Sequence, residues 1–555
     1  MNIKKLLIVS LILLISFGVG IRLISLDKDF TGEETDFVRS ATAIKDTGRP
    51  IYYLSEQQPN QIGLLHPPTY IYILSLVLND SIGESSARII NVIFSVLTAI
   101  LIFLFCIKFL NSKNKKTIGL IASALFLINY FIFSSSLMLD IDNLSMFFTF
   151  AFVFCILMDY KTKNFKYFIL SILALFFSIS NRYPIAFVVF VSLGIYFLAD
   201  KELRKYFKRY FVIGLCAGIS FIVIWGFYST VIEPGTFFMF IKHNANLGTE
   251  VITNLLVYIG SFMLNISQFV RLFTLPFVIL MVLSLFLFIR KSDKPIRVLL
   301  IYSLSIFFLF IIISRPAFGY PRYFLTMFPA TIILISLFVY ENLEKVKITK
   351  GMVAIVILSF ILSLSLLLVL HPQSTFYETK GLIKSTNLPD FIFNLFASFP
   401  LFFAFLFKDK KKSVAILVLL SLVLSYSIYF DISLVNHDPK TEEAGTYIKE
   451  HTSNSDIIVC PKAVCHYAER RFYLNDFTKP STSISSSFLL EYFKRSLENR
   501  DMSNEFFWEK GYFGGFVNPK PSQAMLDEVK YMVLYHSIEG VSPEAKIGDF
   551  YIYKI

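Results

Sequence analysis

Two adjacent carboxylates, Glu33 and Glu34 in Thr31-Gly32-Glu33-Glu34, head a segment in which Phe37, Val38, Ala41 and Ile44 recur at helical spacing. A carboxylate in the first turn of a helix is kept ionised by the helix dipole. That suits a general base or a metal ligand, and it equally suits plain helix stabilisation. Thr31 and Glu34 have the spacing of a capping box, which gives Glu34 a structural task and leaves Glu33 the better candidate for chemistry. A second acidic pair, Asp140 and Asp142, lies in an apolar stretch where acids are rare, with helix capping as the plain alternative for Asp142. Cations accompany them: Arg182 in Asn181-Arg182-Tyr183-Pro184, Arg315 and Arg322 on either side of Tyr320-Pro321, and His66 before Pro67-Pro68. The arginines could simply snorkel to lipid headgroups and His66 could be an ordinary loop residue. Taken together, these are the groups needed to displace a phosphate leaving group. Cations or a metal offset the growing negative charge, and a carboxylate removes the acceptor's proton.

The elements that must position these groups are membrane helices. Of 555 residues 55% are hydrophobic and 62 are Phe, and the mean hydropathy is +0.63, more apolar surface than a soluble fold can bury. The first apolar stretch, Leu6 to Leu26, follows Lys4-Lys5, is long for a signal-peptide core and lacks a small-residue cleavage site, so it is expected to be a retained helix. Length and apolarity predict roughly thirteen spans with the amino terminus in the cytoplasm. Basic clusters at 113–116, 161–166, 201–209, 290–294, 345–350 and 408–412 then all fall on the cytoplasmic side. The net charge of +12 is thereby assigned to loops, which excludes a nucleic-acid partner. Cys106, Cys155 and Cys216 fall in apolar segments and read as small buried hydrophobes.

Two large outer segments are expected, a first loop at 27–87 and a tail at 435–555, which divides the chain into a transmembrane domain (1–434) and an extracytoplasmic soluble domain (435–555). In the tail 456–460, 530–535 and 549–553 read as strands and 439–451 as a helix, so a small α/β domain is expected. Cys460 and Cys465 would face an oxidising compartment and are expected to form a disulfide, the alternative being two separately packed thiols. Neither an internal repeat nor an inverted pair of broken helices is evident, which weakens a transporter reading.

The ordered motifs resemble the C-type glycosyltransferases, in the branch holding the protein O-mannosyltransferases and the bacterial lipid A aminoarabinose transferases. The resemblance runs through Gly32-Glu33-Glu34 with Gly48-Arg49-Pro50, His66-Pro67-Pro68-Thr69-Tyr70, Ala87-Arg88-Ile89-Ile90, Leu139-Asp140-Ile141-Asp142, Asn181-Arg182-Tyr183-Pro184 and Tyr320-Pro321-Arg322-Tyr323-Phe324-Leu325. That family carries an Asp-Glu pair in its first outer loop, the Asp being the base, so the resemblance implies that role for Glu33 despite the change of residue. His66 stands where the aminoarabinose transferases place a phosphate-binding Lys. His243 matches a family His, while the following Arg position holds Asn246, leaving Lys242 as the nearby cation. The implied donor-phosphate set is His66, Arg182, Lys242, His243, Tyr320 and Arg322, with Glu33, Glu34, Asp140 and Asp142 as the catalytic acids. The implied reaction is an inverting sugar transfer from a polyprenyl-phosphate carrier to a protein, lipid or surface glycan at the outer face of the cell membrane. No cofactor is demanded, and a divalent metal is an option. A lipid or sugar flippase would spread polar groups along a central path, and a polysaccharide ligase would carry its large outer loop late in the chain. A scaffold would leave the gathering of Glu33, Asp140 and Arg182 unexplained.

Overall fold

The computed structural model describes residues 3–26, 30, 32–49, 69–78, 83–228, 269, 275–290, 293–312, 321–342, 440–474, 528–534, 537 and 541–555. The membrane part begins with α1 (Ile3–Ile24), a loop helix α2 (Gly32–Thr47) and a short apolar helix α3 (Thr69–Val77). At nine residues α3 is about 14 Å long, too short to cross the hydrocarbon. Next come α4 (Gly83–Phe109), α5 (Lys115–Ile128), α6 (Tyr130–Ser136), α7 (Asp142–Thr162), α8 (Phe165–Ala199) and α9 (Phe207–Phe227). Further on are α10 (Leu275–Arg290), α11 (Lys294–Ile312), a 3-10 turn at Pro321–Met327 and α12 (Phe328–Leu337).

Among the described residues four helical stretches are long and apolar enough to cross a membrane: Ala87–Phe109, Asp142–Thr162, Phe165–Ala199 and Leu203–Phe227. Shorter apolar helices cover Leu11–Ile24, Pro276–Ile289 and Phe324–Tyr340. The stretch at 142–162 is the most enclosed of the four, and α7 packs against α4 and α8. The stretch at 203–227 shows most of its surface outward, where Phe211, Leu215, Ile219 and Ile222 present an apolar face suited to lipid.

Two interruptions of these helices free polar groups from the regular backbone pattern. Asn129 ends α5 and caps α6, its side chain accepting a hydrogen bond from the Ile132 N–H at 3.0 Å. Within α8, Pro184 lacks the N–H that would reach the Ser180 carbonyl, and Arg182 leaves helical geometry at φ −138°, ψ 81°.

The tail begins with α13 (Lys440–His451), β1 (Ile457–Cys460), α14 (Lys462–Ala468) and β2 (Arg471–Leu474), then β3 (Val529–Leu534), β4 (Ala545–Ile547) and β5 (Phe550–Lys554). These strands form one five-stranded sheet in the order β2-β1-β3-β5-β4, parallel for β1 with β2 and β3, antiparallel for β3 with β5 and β5 with β4. The helix and three strands read from sequence appear within a residue or two of the expected limits. The short elements α14, β2 and β4 were not legible. Cys460, the last residue of β1, and Cys465, inside α14, are joined by a disulfide with a Cα separation of 5.5 Å.

Candidate active site

The polar groups gather where α2, α3 and α4 meet the α6–α7 junction. Glu34, in the first turn of α2, is fully buried and forms a bidentate pair with Arg88 of α4, Nε to Oε1 at 3.1 Å and Nη2 to Oε2 at 2.9 Å. Two charges held so far from water are stable together only with near-ideal geometry and further hydrogen bonds. Both are present: Arg88 Nη1 donates to the Leu26 carbonyl at 3.0 Å, and Glu34 Oε1 accepts the Leu139 N–H at 3.0 Å. The Phe30 ring lies 5.0 Å from the Arg88 guanidinium carbon. The loop helix is thus tied to α4 and to the α6–α7 junction by one carboxylate, a task that the capping-box spacing of Thr31 and Glu34 does not announce.

The junction itself is held by Asn91, one turn along α4 from Arg88. Its amide donates to the Met138 carbonyl and, at 3.0 Å, to the Asp140 carbonyl. Asp140 is buried and its Oδ1 accepts the Ile141 N–H at 2.5 Å. Asp142 opens α7, where the helix dipole favours its charge, and pairs with Arg182 at 2.7 Å. The break in α8 at Asn181-Arg182-Tyr183-Pro184 releases Arg182 from helical geometry at the level where it meets Asp142. Asn143 joins α7 to α6 through the Ser135 carbonyl at 2.8 Å and hydroxyl at 2.9 Å. Tyr70 of α3 is buried beside Asp140, Glu34, Asn91 and Arg88. Burial, with the two carboxylates adding to it, holds its phenol well above the ordinary tyrosine value and therefore protonated.

The structure therefore brings together Glu34, Asp140, Asp142 and Arg182 from the sequence-derived set. Arg182, expected to hold the donor phosphate, forms an ion pair with Asp142, so a phosphate bound there would share it with that carboxylate. Glu33 lies in the first turn of α2, and Arg322 lies in the 3-10 turn at Pro321–Met327, but their side chains fall outside the described residues. His66, Lys242, His243, Arg315 and Tyr320 also lie outside them. Among the described residues no three His, Cys, Asp or Glu side chains come together as a metal site. Sequence reasoning gave no role to Arg88, Asn91 or Tyr70. Its missed signal was a buried polar stripe on α4, Arg88, Asn91, Ser95 and Thr98, at steps of three and four in an otherwise apolar helix.

Residues 65–228, which hold α3, α4, the acidic junction and Arg182, match the family described as dolichyl-phosphate-mannose-protein mannosyltransferase. No curated protein matches the chain by sequence. Among solved structures, the chain is similar to the crystal structure of ArnT from Cupriavidus metallidurans bound to undecaprenyl phosphate. Identity is 12%, the match covers 94% of this chain and 92% of that one, and the TM-score is 0.59. The apo form of the same protein matches at 11% identity, the same coverage and a TM-score of 0.51. The chain accordingly shares the fold of that solved structure over most of its length, and its segment 65–228 carries the mannosyltransferase-family match.

Proposed function

We propose that this chain is an integral membrane glycosyltransferase that moves a sugar from a polyprenyl-phosphate donor to a protein, lipid or surface-glycan acceptor at the outer face of the membrane, with inversion. The observation that carries the reading is the convergence of Glu34, Asp140, Asp142, Arg88 and Arg182 on one end of α4 and α7, at the start of the loop helix that carries Glu33. Support comes from a similar fold that binds undecaprenyl phosphate and from the mannosyltransferase-family match over 65–228. In this reading Glu33 takes the acceptor's proton while Arg182, Arg322 and His243, with His66, Lys242 and Tyr320, hold the phosphate that leaves with the lipid. Asp140 and Asp142 orient the acceptor or a divalent metal. Inversion follows from direct attack by the acceptor opposite the departing lipid phosphate. Mass spectrometry of glycolipids and glycoproteins from cells with and without the chain tests the proposal. A sugar-bearing product that vanishes with the chain is expected. Identical glycoconjugate profiles, with a polyprenyl-linked intermediate accumulating on one side of the membrane, would point instead to a flippase.

A further inference from the structure

The tail does more than pack against itself. Its helix α14 carries His466 and Tyr467 onto Phe30, two residues ahead of α2. The Phe30 N–H donates to the Tyr467 hydroxyl at 2.8 Å, and the Phe30 ring meets His466 edge-on at 5.4 Å and stacks on Tyr467 at 6.4 Å. Tyr467 packs against the same apolar cluster as Val38, Ala41, Tyr70 and Leu139, a cluster otherwise built from the membrane part. A second contact comes from β2, where the Phe472 ring lies 4.3 Å from the Arg39 guanidinium carbon of α2. Phe30 has a neighbour on its other side, since Arg88, the partner of Glu34, rests against its ring. A continuous path thus runs from Tyr467 through Phe30 and Arg88 to Glu34 and the acidic junction. The disulfide anchors the start of this path, because Cys465 precedes His466 directly and ties α14 to the end of β1.

We infer that Tyr467 is a positioning residue for the proposed transfer: through Phe30 it fixes the entry to α2, and with it the Arg88–Glu34 pair and the neighbouring Glu33. The inference rests on the glycosyltransferase reading, but the docking itself can be read without any substrate. Tyr467→Phe keeps the ring and removes the only oxygen that receives the Phe30 N–H among the described residues. Loss of this partly buried hydrogen bond should lower transfer about fivefold. Binding of undecaprenyl phosphate should stay unchanged, because the cations proposed for the phosphate are untouched.

The experiment uses the full chain in detergent or nanodiscs and compares three forms: the parent, Tyr467→Phe and the double variant Cys460→Ser, Cys465→Ser. Amide hydrogen exchange over residues 30–47 should be faster in both variants. Yield of the chain-dependent glycoconjugate should fall while undecaprenyl phosphate affinity holds. Unchanged exchange in both variants would overturn the docking. Faster exchange with undiminished transfer would overturn the positioning role. A parent that transfers no sugar yet shows the exchange difference would refute the glycosyltransferase reading and leave the docking standing.

Discussion

Helix α7 carries a carboxylate–arginine pair near each end, and the two ends are built differently. Near the carboxyl end, Asp159 receives two bonds from Arg209, at 2.7 and 2.9 Å, and a third from the Tyr206 hydroxyl. Arg209 reaches water, rests its guanidinium on the Phe168 ring and sits in a basic segment with Arg204, Lys205 and Lys208. The backbone there is ordinary: α7 stops at Lys163 in the left-handed conformation, and Asn164 caps α8 by accepting the Lys166 N–H. At the other end, about 26 Å away along the helix, three acids and two arginines are buried together, α6 ends short of α7, and α8 is broken at Arg182. One end is a staple across a tight turn. The other concentrates buried ionisable groups at a helix break, the combination expected of a site selected for chemistry.

The largest effects should separate the two ends. Glu34→Ala leaves Arg88 buried without its carboxylate and should cost about 3–5 kcal/mol of stability. Transfer by the molecules that remain folded should also be lost. Asp159→Ala leaves an arginine that can turn to water and should cost no more than about 2 kcal/mol. Transfer per folded molecule should then be unchanged. Thermal unfolding in detergent together with product yield reads both. Equal losses of transfer from the two variants would erase the distinction.

Within the site, Glu33→Gln keeps size and hydrogen bonding but cannot take a proton. Transfer should fall roughly a hundredfold or more with folding and undecaprenyl phosphate binding intact, while Glu33→Asp stays active. Parental rates in Glu33→Gln beside an inactive Asp140→Asn would move the base to another carboxylate. Arg182→Lys is a milder change. It keeps the charge opposite Asp142 and loses the planar fork, so undecaprenyl phosphate should bind about tenfold more weakly. Unaltered affinity would make the Asp142–Arg182 pair structural, like the pair at the far end.

Much of the fold was legible because its signals are periodic. Apolar length announced the four long spans seen among the described residues, the strand patterns at β3 and β5 announced the sheet, and the acids at 33–34 and 140–142 stood out against an apolar background. Partner choice was not legible. The capping spacing of Thr31 and Glu34 is a local signal, whereas the bond from Glu34 to Arg88 spans 54 residues and depends on how α2 lies against α4. Arg182 likewise reads as a spare cation until the break in α8 turns it toward Asp142. The Tyr467–Phe30 contact spans 437 residues and has no sequence signature, because an aromatic residue in a short helix is more often ordinary core.

A further predicted effect concerns that contact between the tail and α2. Loss of water around His466, with the Arg39 guanidinium of α2 nearby, pushes its pKa down to about 3 from an ordinary 6.5. The folded, docked state therefore keeps the imidazole neutral, while an undocked or unfolded chain takes up a proton once the pH falls below about 6.5. Between those values the unfolded state binds more protons, so stability rises with pH. The contribution is fully present above about pH 6.5 and is lost progressively as the pH falls toward about 3. At pH 5 the loss amounts to about 2 kcal/mol at most. Amide exchange over residues 30–47 should accelerate between pH 7 and pH 5 beyond the intrinsic change, and His466→Gln, which has no proton to gain, should flatten that acceleration. The Arg209–Asp159 end offers the internal control. Its contacts run through arginine, tyrosine and aspartate, so exchange there should follow the intrinsic pH dependence alone. A parent protein whose two ends respond alike to acid would show that His466 does not hold the tail to α2 in its neutral form.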